Sequence, residues 1–221
     1  MRTRAKLALA VVLLLVAAVP AFASTAPTGR TADQIRAYYS SGDWKKAVTK
    51  QTTKAKAYLA KRTHGKHKAK KPALVLDIDE TSLNNYPCLD REDGLPYQPG
   101  VYAPCVVEFK APAIKPVLSV FKLAKKRHVH VVFITGRPEG IRDGTLDNLK
   151  AAGFKGKYDL VLQPPSRAGD ASMVPYKSGA RRQVEKRGYT ILANLGDQRS
   201  DLKGGYSERT YKLPNVIYRT P

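Results

Sequence analysis

The stretch PALVLDIDETSLNN, residues 72–85, runs an apolar segment straight into Asp77, Asp79 and Glu80, with Thr81 next. Charges clustered at the end of a buried strand are costly to desolvate unless a cation or a reacting group meets them there. The chemistry of the chain is therefore expected at this point. ALVL at 73–76 and VHVVFIT at 129–135 are continuous apolar runs, the texture of strands covered on both faces. Strands are expected over about 73–78, 129–134, 158–162, 190–195 and 215–219, with helices over about 112–127, 138–152 and 176–188. This alternation predicts an α/β fold with a central parallel β-sheet flanked by helices. Upstream, Thr31 and Gln34 fit a capping box, and Trp44, Val48, Ala55 and Leu59 share one helical face. Residues 31–62 therefore read as one or two helices, broken near SSGD at 40–43, that pack on the domain.

The chain has 221 residues, 43% of them hydrophobic, which suits one folded domain and excludes wholesale disorder. Arg2, Arg4 and Lys6 precede an apolar run from Leu7 to Val19, and AFA follows at 21–23. This is the pattern of a secretory signal peptide cleaved near Ala23, and the run is short for a membrane span. No cysteine stands at the cleavage point, so a membrane anchor is not expected after cleavage, and the mature chain is expected to be secreted. The expected organisation is a signal peptide at 1–23, an N-terminal helical region with a basic linker at 24–71, and a core at 72–221. A Pro-, Tyr- and Gly-rich insertion at about 82–111 reads as a small cap over the active end of the sheet. Its tyrosines, Tyr86, Tyr97 and Tyr102, either line a pocket or pack the insertion itself.

Two cysteines, Cys88 and Cys105, lie in that insertion. In an exported protein an even count at short spacing reads as a disulfide, the alternative being two buried free thiols. The formal net charge is +21, and eleven Lys or Arg residues with no Asp or Glu fall between Trp44 and Leu76. Segment 45–71 reads as a solvated helix face plus linker, or as a contact for an anionic cell-surface polymer. No zinc-finger spacing, helix-turn-helix or RNA-binding aromatic motif points to a nucleic-acid module.

In an open α/β sheet, ligands bind beyond the carboxyl ends of the strands. Four signals are expected there: Asp77, Asp79 and Thr81 in DIDET; Thr135, Gly136 and Arg137 in FITGRPE, read as a strand end opening a helix; Lys177 in VPYKSGARR at a helix start; and Asp197 and Asp201 in NLGDQRSD. Each has a structural reading by itself, as helix cap, turn residue or surface lysine. Four in order is a stronger signal than any one.

This ordered set resembles the haloacid dehalogenase (HAD) superfamily of phosphohydrolases. LDIDETSLNN together with YKSGARRQVEKRGYTILANLGDQRSDLKGG is similar to its acid phosphatase subfamily, IIIB, which includes secreted bacterial class B-like enzymes and plant vegetative storage proteins. The resemblance covers roughly residues 30–220 and implies a HAD-like Rossmannoid fold and a small phosphomonoester as substrate. It implies Asp77 as nucleophile, Mg²⁺ held by Asp77, the Asp79 backbone carbonyl and Asp197, and Asp201 supporting that site directly or through water. Asp79 would move the proton, and its crowding by other acids would favour a protonated form at mildly acidic pH. Thr135 and the N–H after it, with Lys177, would hold the phosphoryl group. Thr81 would support by hydrogen bonding, Glu80 would be structural, and Arg137 would bind substrate or pair with Glu139 or an acidic loop residue. An acid two places after the nucleophile favours a phosphatase over a dehalogenase. A binding or storage protein with little turnover, or a phosphotransferase, are the competing functions.

Overall fold

The structure is a computed structural model that describes residues 25–220 apart from 168, 169 and 171; the expected signal peptide lies outside the described residues. The chain opens with β1 (Ala26–Pro27), α1 (Ala32–Ser40) and α2 (Asp43–Arg62). The Thr31 hydroxyl accepts from the Gln34 N–H at 3.2 Å and the Gln34 side chain accepts from the Thr31 N–H at 3.0 Å, so the capping box forms. The break between the helices turns on Gly42, whose φ of 78° suits a residue without Cβ. Val48, Ala55 and Leu59 are fully buried in the main core and Trp44 packs beside them.

Then follow β2 (Pro72–Leu76), α3 (Tyr86–Arg91), α4 (Pro99–Val107), α5 (Lys115–Lys126), β3 (His130–Pro138), α6 (Arg142–Ala151), β4 (Asp159–Gln163), α7 (Val174–Lys186), β5 (Thr190–Gly196), α8 (Arg199–Leu202), β6 (Thr210–Lys212) and β7 (Tyr218–Arg219). Five strands form one parallel sheet in the order β4-β3-β2-β5-β6. Side chains alternate between its faces. Leu74 and Leu76 join the large core that also holds α2 and α5, while Ala73 and Val75 join the core on the opposite face with Val184 of α7. That two-sided burial is why β2 reads as an unbroken apolar run.

Two expectations differ from the structure. The fifth strand of the sheet is β6, not the 215–219 segment; Tyr218–Arg219 instead pairs antiparallel with Ala26–Pro27 in a separate two-stranded ribbon. Residues 210–212 carry no long apolar run because the strand is only three residues long and buries Tyr211 alone. Thr135, Gly136 and Arg137 also do not open a helix: β3 continues through Pro138 and α6 begins at Arg142. The Pro at 138 fixes φ at −69° and prolongs the extended backbone.

The 82–111 insertion folds as α3 and α4, tied by the Cys88–Cys105 disulfide with Cα atoms 5.8 Å apart. A third apolar cluster holds it: Ile35 of α1, Leu89, Tyr97, Tyr102 and Ile217 pack around the two cysteines. Tyr86 stacks on Tyr39 at 3.8 Å between ring centroids. Among the described residues no helix is long and apolar enough to cross a membrane.

Candidate active site

β2 lies at the centre of the sheet, with β3 on one side and β5 on the other. The chain leaves β2 for β3 and β4, then crosses back to β5, so the strand order reverses beside β2 and leaves a crevice past its carboxyl end. Asp77 and Asp79 follow β2 and Asp197 follows β5; the Asp77 N–H donates to Leu195 O at 3.0 Å, which registers the two strand ends. Ile78 O accepts from the N–H groups of Ser82 and Leu83, both at 2.8 Å, bending the chain back under Asp77. Glu80 takes a φ of 51° in that bend.

Asp77, Asp197 and Asp201 are all buried, and one carboxylate oxygen from each lies within 4.8 Å of the others. Lys177, near the start of α7, donates to Asp77 Oδ1 at 2.8 Å and also to Asp201 Oδ1. One ammonium pairs with two of the three carboxylates. Burial pushes the Asp77 carboxyl well above its usual range, and the neighbouring Asp201 charge adds to this against the opposing pull of Lys177. Burial and Asp201 likewise raise Asp197. Burial works against the Lys177 charge, but Asp201 and Asp77 outweigh it and hold the ammonium protonated. An all-oxygen donor set with excess negative charge fits a hard divalent cation.

The ligand-type groups are held firmly. Asp197 Oδ1 accepts from the Thr81 hydroxyl at 2.8 Å, and Oδ2 accepts from Gln198 Nε2 at 2.6 Å and Asn215 Nδ2 at 2.9 Å. Asp201 Oδ2 accepts from the Gln198 N–H at 2.7 Å, and its backbone carbonyl accepts from Arg181 at 2.6 Å and Asn194 at 2.8 Å. Gly196 permits this closeness: a Cβ there would stand 2.2 Å from the Asp201 Cβ.

Arg137 resolves to one of its sequence alternatives. Its guanidinium, 1% exposed, grips Asp79, with Nη2 to Oδ1 at 2.7 Å and Nε to Oδ2 at 3.0 Å, while Asn85 Nδ2 donates to Oδ1 at 2.8 Å. Glu139 pairs with Arg142 instead, at 2.8 Å. Asp79 is thus matched by a cation rather than only crowded by acids. Its Oδ1 is saturated and Oδ2 keeps accepting capacity. Glu80 accepts from the Asn85 N–H at 3.1 Å and from the Tyr218 hydroxyl. Burial first, then the charges of Asp79 and Asp197, push its carboxyl up to about 8.

Asp77, Asp79, Gly136, Arg137, Lys177 and Asp197 line one cleft together with Tyr102 of α4 and Tyr218 of β7. Thr135 sits behind Gly136, fully buried, its hydroxyl accepting from the Arg137 N–H at 3.2 Å. Thr81 and Asp201 also stand behind the lining. Sequence reasoning passed over Asn85, Arg181, Gln198, Asn215 and Tyr218. Arg181 has a signal, one helical turn after Lys177; Asn215 and Tyr218 have none, because only the return of the chain end brings them here.

The family described as HAD superfamily, subfamily IIIB (acid phosphatase) matches residues 9–221. The chain is 32% identical to the stem 28 kDa glycoprotein of Glycine max over 76% of its length and 67% of that protein. It is 36% identical to acid phosphatase 1 of Solanum lycopersicum over 65% of its length and 57% of that protein. Its fold is similar to the class C acid phosphatase from Bacillus anthracis, with a TM-score of 0.66 at 22% identity over 83% of each chain. With the buried carboxylate cluster at the end of the central strand, these likenesses show that the chain belongs to the HAD superfamily, subfamily IIIB, the acid phosphatases.

Proposed function

We propose that the chain is a secreted, Mg²⁺-dependent acid phosphatase that hydrolyses small phosphomonoesters through an aspartyl-phosphate on Asp77. The observation that carries this reading is the pairing, at one strand end, of a buried Asp77 held by Lys177 with an Asp79 that lines the same cleft. Mg²⁺, bound by Asp77, Asp197 and the Asp79 carbonyl, would offset the repulsion between carboxylate and phosphoryl oxygens. Asp77 attacks phosphorus as the bond to the ester oxygen breaks, and Asp79 passes a proton from Oδ2 to the departing alcohol. Asp79 then takes a proton from water as the water oxygen attacks phosphorus. The bond from phosphorus to Asp77 breaks, releasing phosphate and restoring both groups. Lys177 balances charge on the nucleophile and phosphoryl oxygens, and the backbone of Gly136, shaped by Thr135, contacts the same oxygens from extended strand. Arg137 and Asn85 aim Asp79. The basic segment 45–71 would hold the exported enzyme to an anionic cell-surface polymer.

The test is phosphate release from p-nitrophenyl phosphate by the purified chain from about pH 4 to 8, with Mg²⁺ and then with EDTA. Metal-dependent turnover that Asp77→Asn abolishes, with the circular dichroism of the variant unchanged, supports the reading. Normal turnover in Asp77→Asn sinks the nucleophile assignment. No turnover with any divalent ion, from folded protein, moves the reading to a binding or storage role.

A further inference from the structure

A second, larger groove borders the catalytic cleft, and the two share Asp197, Gln198, Ser200, Tyr218 and Thr220 among their lining residues. The groove adds four cationic side chains: Arg199, Lys203, Lys212 and Arg219. Lys212 is committed, donating to Leu213 O at 2.9 Å and to Asp197 O. The side-chain cations of Arg199, Lys203 and Arg219 are exposed and have no partner among the described residues. Asp197 is the one acid among the groove's described lining, and its carboxylate is occupied by Thr81, Gln198 and Asn215. At the junction stands Ser200, 1% exposed, whose buried hydroxyl also has no partner among the described residues. A buried, unsatisfied hydroxyl is costly to leave unpaired.

Three unpaired cations and one unsatisfied hydroxyl, beside a site that takes a phosphoryl group, describe a receiver for a second anion on the same molecule. We propose that this groove binds the alcohol portion of the substrate, and that this portion carries its own anionic group, a phosphate or a carboxylate. The inference rests on the phosphatase reading for the adjoining cleft and adds the substrate class. Arg supplies a fork for such a group and Lys a point charge. Phosphomonoesters with a neutral alcohol would occupy the cleft and leave the groove to water.

Matched substrates test it. Fructose 1,6-bisphosphate is compared with fructose 6-phosphate for a second phosphate, and 3-phosphoglycerate with glycerol 3-phosphate for a carboxylate. The expected result is a kcat/KM higher by about tenfold for the doubly anionic member of at least one pair, mostly through KM. Which pair shows it identifies the anion. In Lys203→Ala/Arg219→Ala that preference should fall by about three- to tenfold, and it should survive in Lys122→Ala/Lys150→Ala, which removes equal charge outside the groove. Equal kcat/KM within both pairs, or the same loss in both double variants, overturns the proposal. If no substrate turns over, calorimetry on Asp77→Asn decides it: tighter binding of a doubly anionic member, dependent on Lys203 and Arg219, sustains the groove while the hydrolytic reading fails. Equal affinities reject both.

Discussion

Asp79 shows how much a single partner decides. Two residues beyond Asp77 it could point several ways, and the fork of Arg137 with the amide of Asn85 fixes its carboxylate at the wall of the cleft. Arg137→Lys keeps the charge but loses the paired geometry. It should lower kcat by about ten- to a hundredfold with a smaller change in KM, because the proposed proton donor Asp79 is displaced rather than the proposed phosphoryl contacts. Steady-state kinetics and the pH profile of kcat check this; an unchanged kcat would mean the fork plays no part in aiming Asp79. Sequence alone offered Glu139 as an equal partner, since it is near in the chain. Arg142, one turn on, takes it instead.

Among the elements, the insertion and the end of α2 are the parts that depend on ties other than sheet packing. The Cys88–Cys105 bond joins α3 to α4 across a separation of 17 residues. Closing a loop of that size stabilises by roughly 3 kcal/mol in the chain-entropy model. The Cys88→Ser/Cys105→Ser variant should therefore unfold at lower denaturant, which a urea titration would show; an unchanged midpoint would deny the bond a role. Arg62, at the end of α2, pairs with Glu208 at 2.6 Å, and Tyr58 donates to the same carboxylate at 2.8 Å. The Arg62 hydrogen bond first, with that of Tyr58, holds the Glu208 carboxyl below its usual value despite partial burial. A carboxyl depressed on folding contributes stability that is complete above its unfolded value of about 4.3 and is lost as pH falls through the folded one. Arg62→Gln should flatten that part of the loss of stability between about pH 5 and 3. Identical slopes in both proteins would refute the tie.

Across the entire chain, charge and topology follow different rules. The order of strands around β2 follows from a few apolar runs and the crossover rule, and it carried Asp77, Lys177 and Asp197 to one end of the sheet as their motifs foretold. What the sequence hid depends on neighbours that no local pattern announces: the short edge strand β6, the pairing of β7 with β1, and the arrival of Asn215 and Tyr218 at the site. The excess of positive charge obeys neither. If segment 45–71 holds the protein to a polyanion, exchanging the lysines and Arg62 within 61–71 for glutamine should abolish retention on heparin resin at moderate salt. Retention that persists would rule residues 61–71 out as its cause.

The ribbon of β1 and β7 bears on how the protein can be handled. Thr25, just before β1, and Thr220, just after β7, both line the catalytic cleft. An affinity tag fused directly at either position would emerge at the wall of the cleft and beside its cationic groove. A run of histidines there would add metal ligands next to the Asp77, Asp197 and Asp201 carboxylates, and a bulky fusion would mimic a competitive inhibitor. Low turnover measured on such material would report on the tag, so assays call for protein with its tag removed or set off by a long polar spacer.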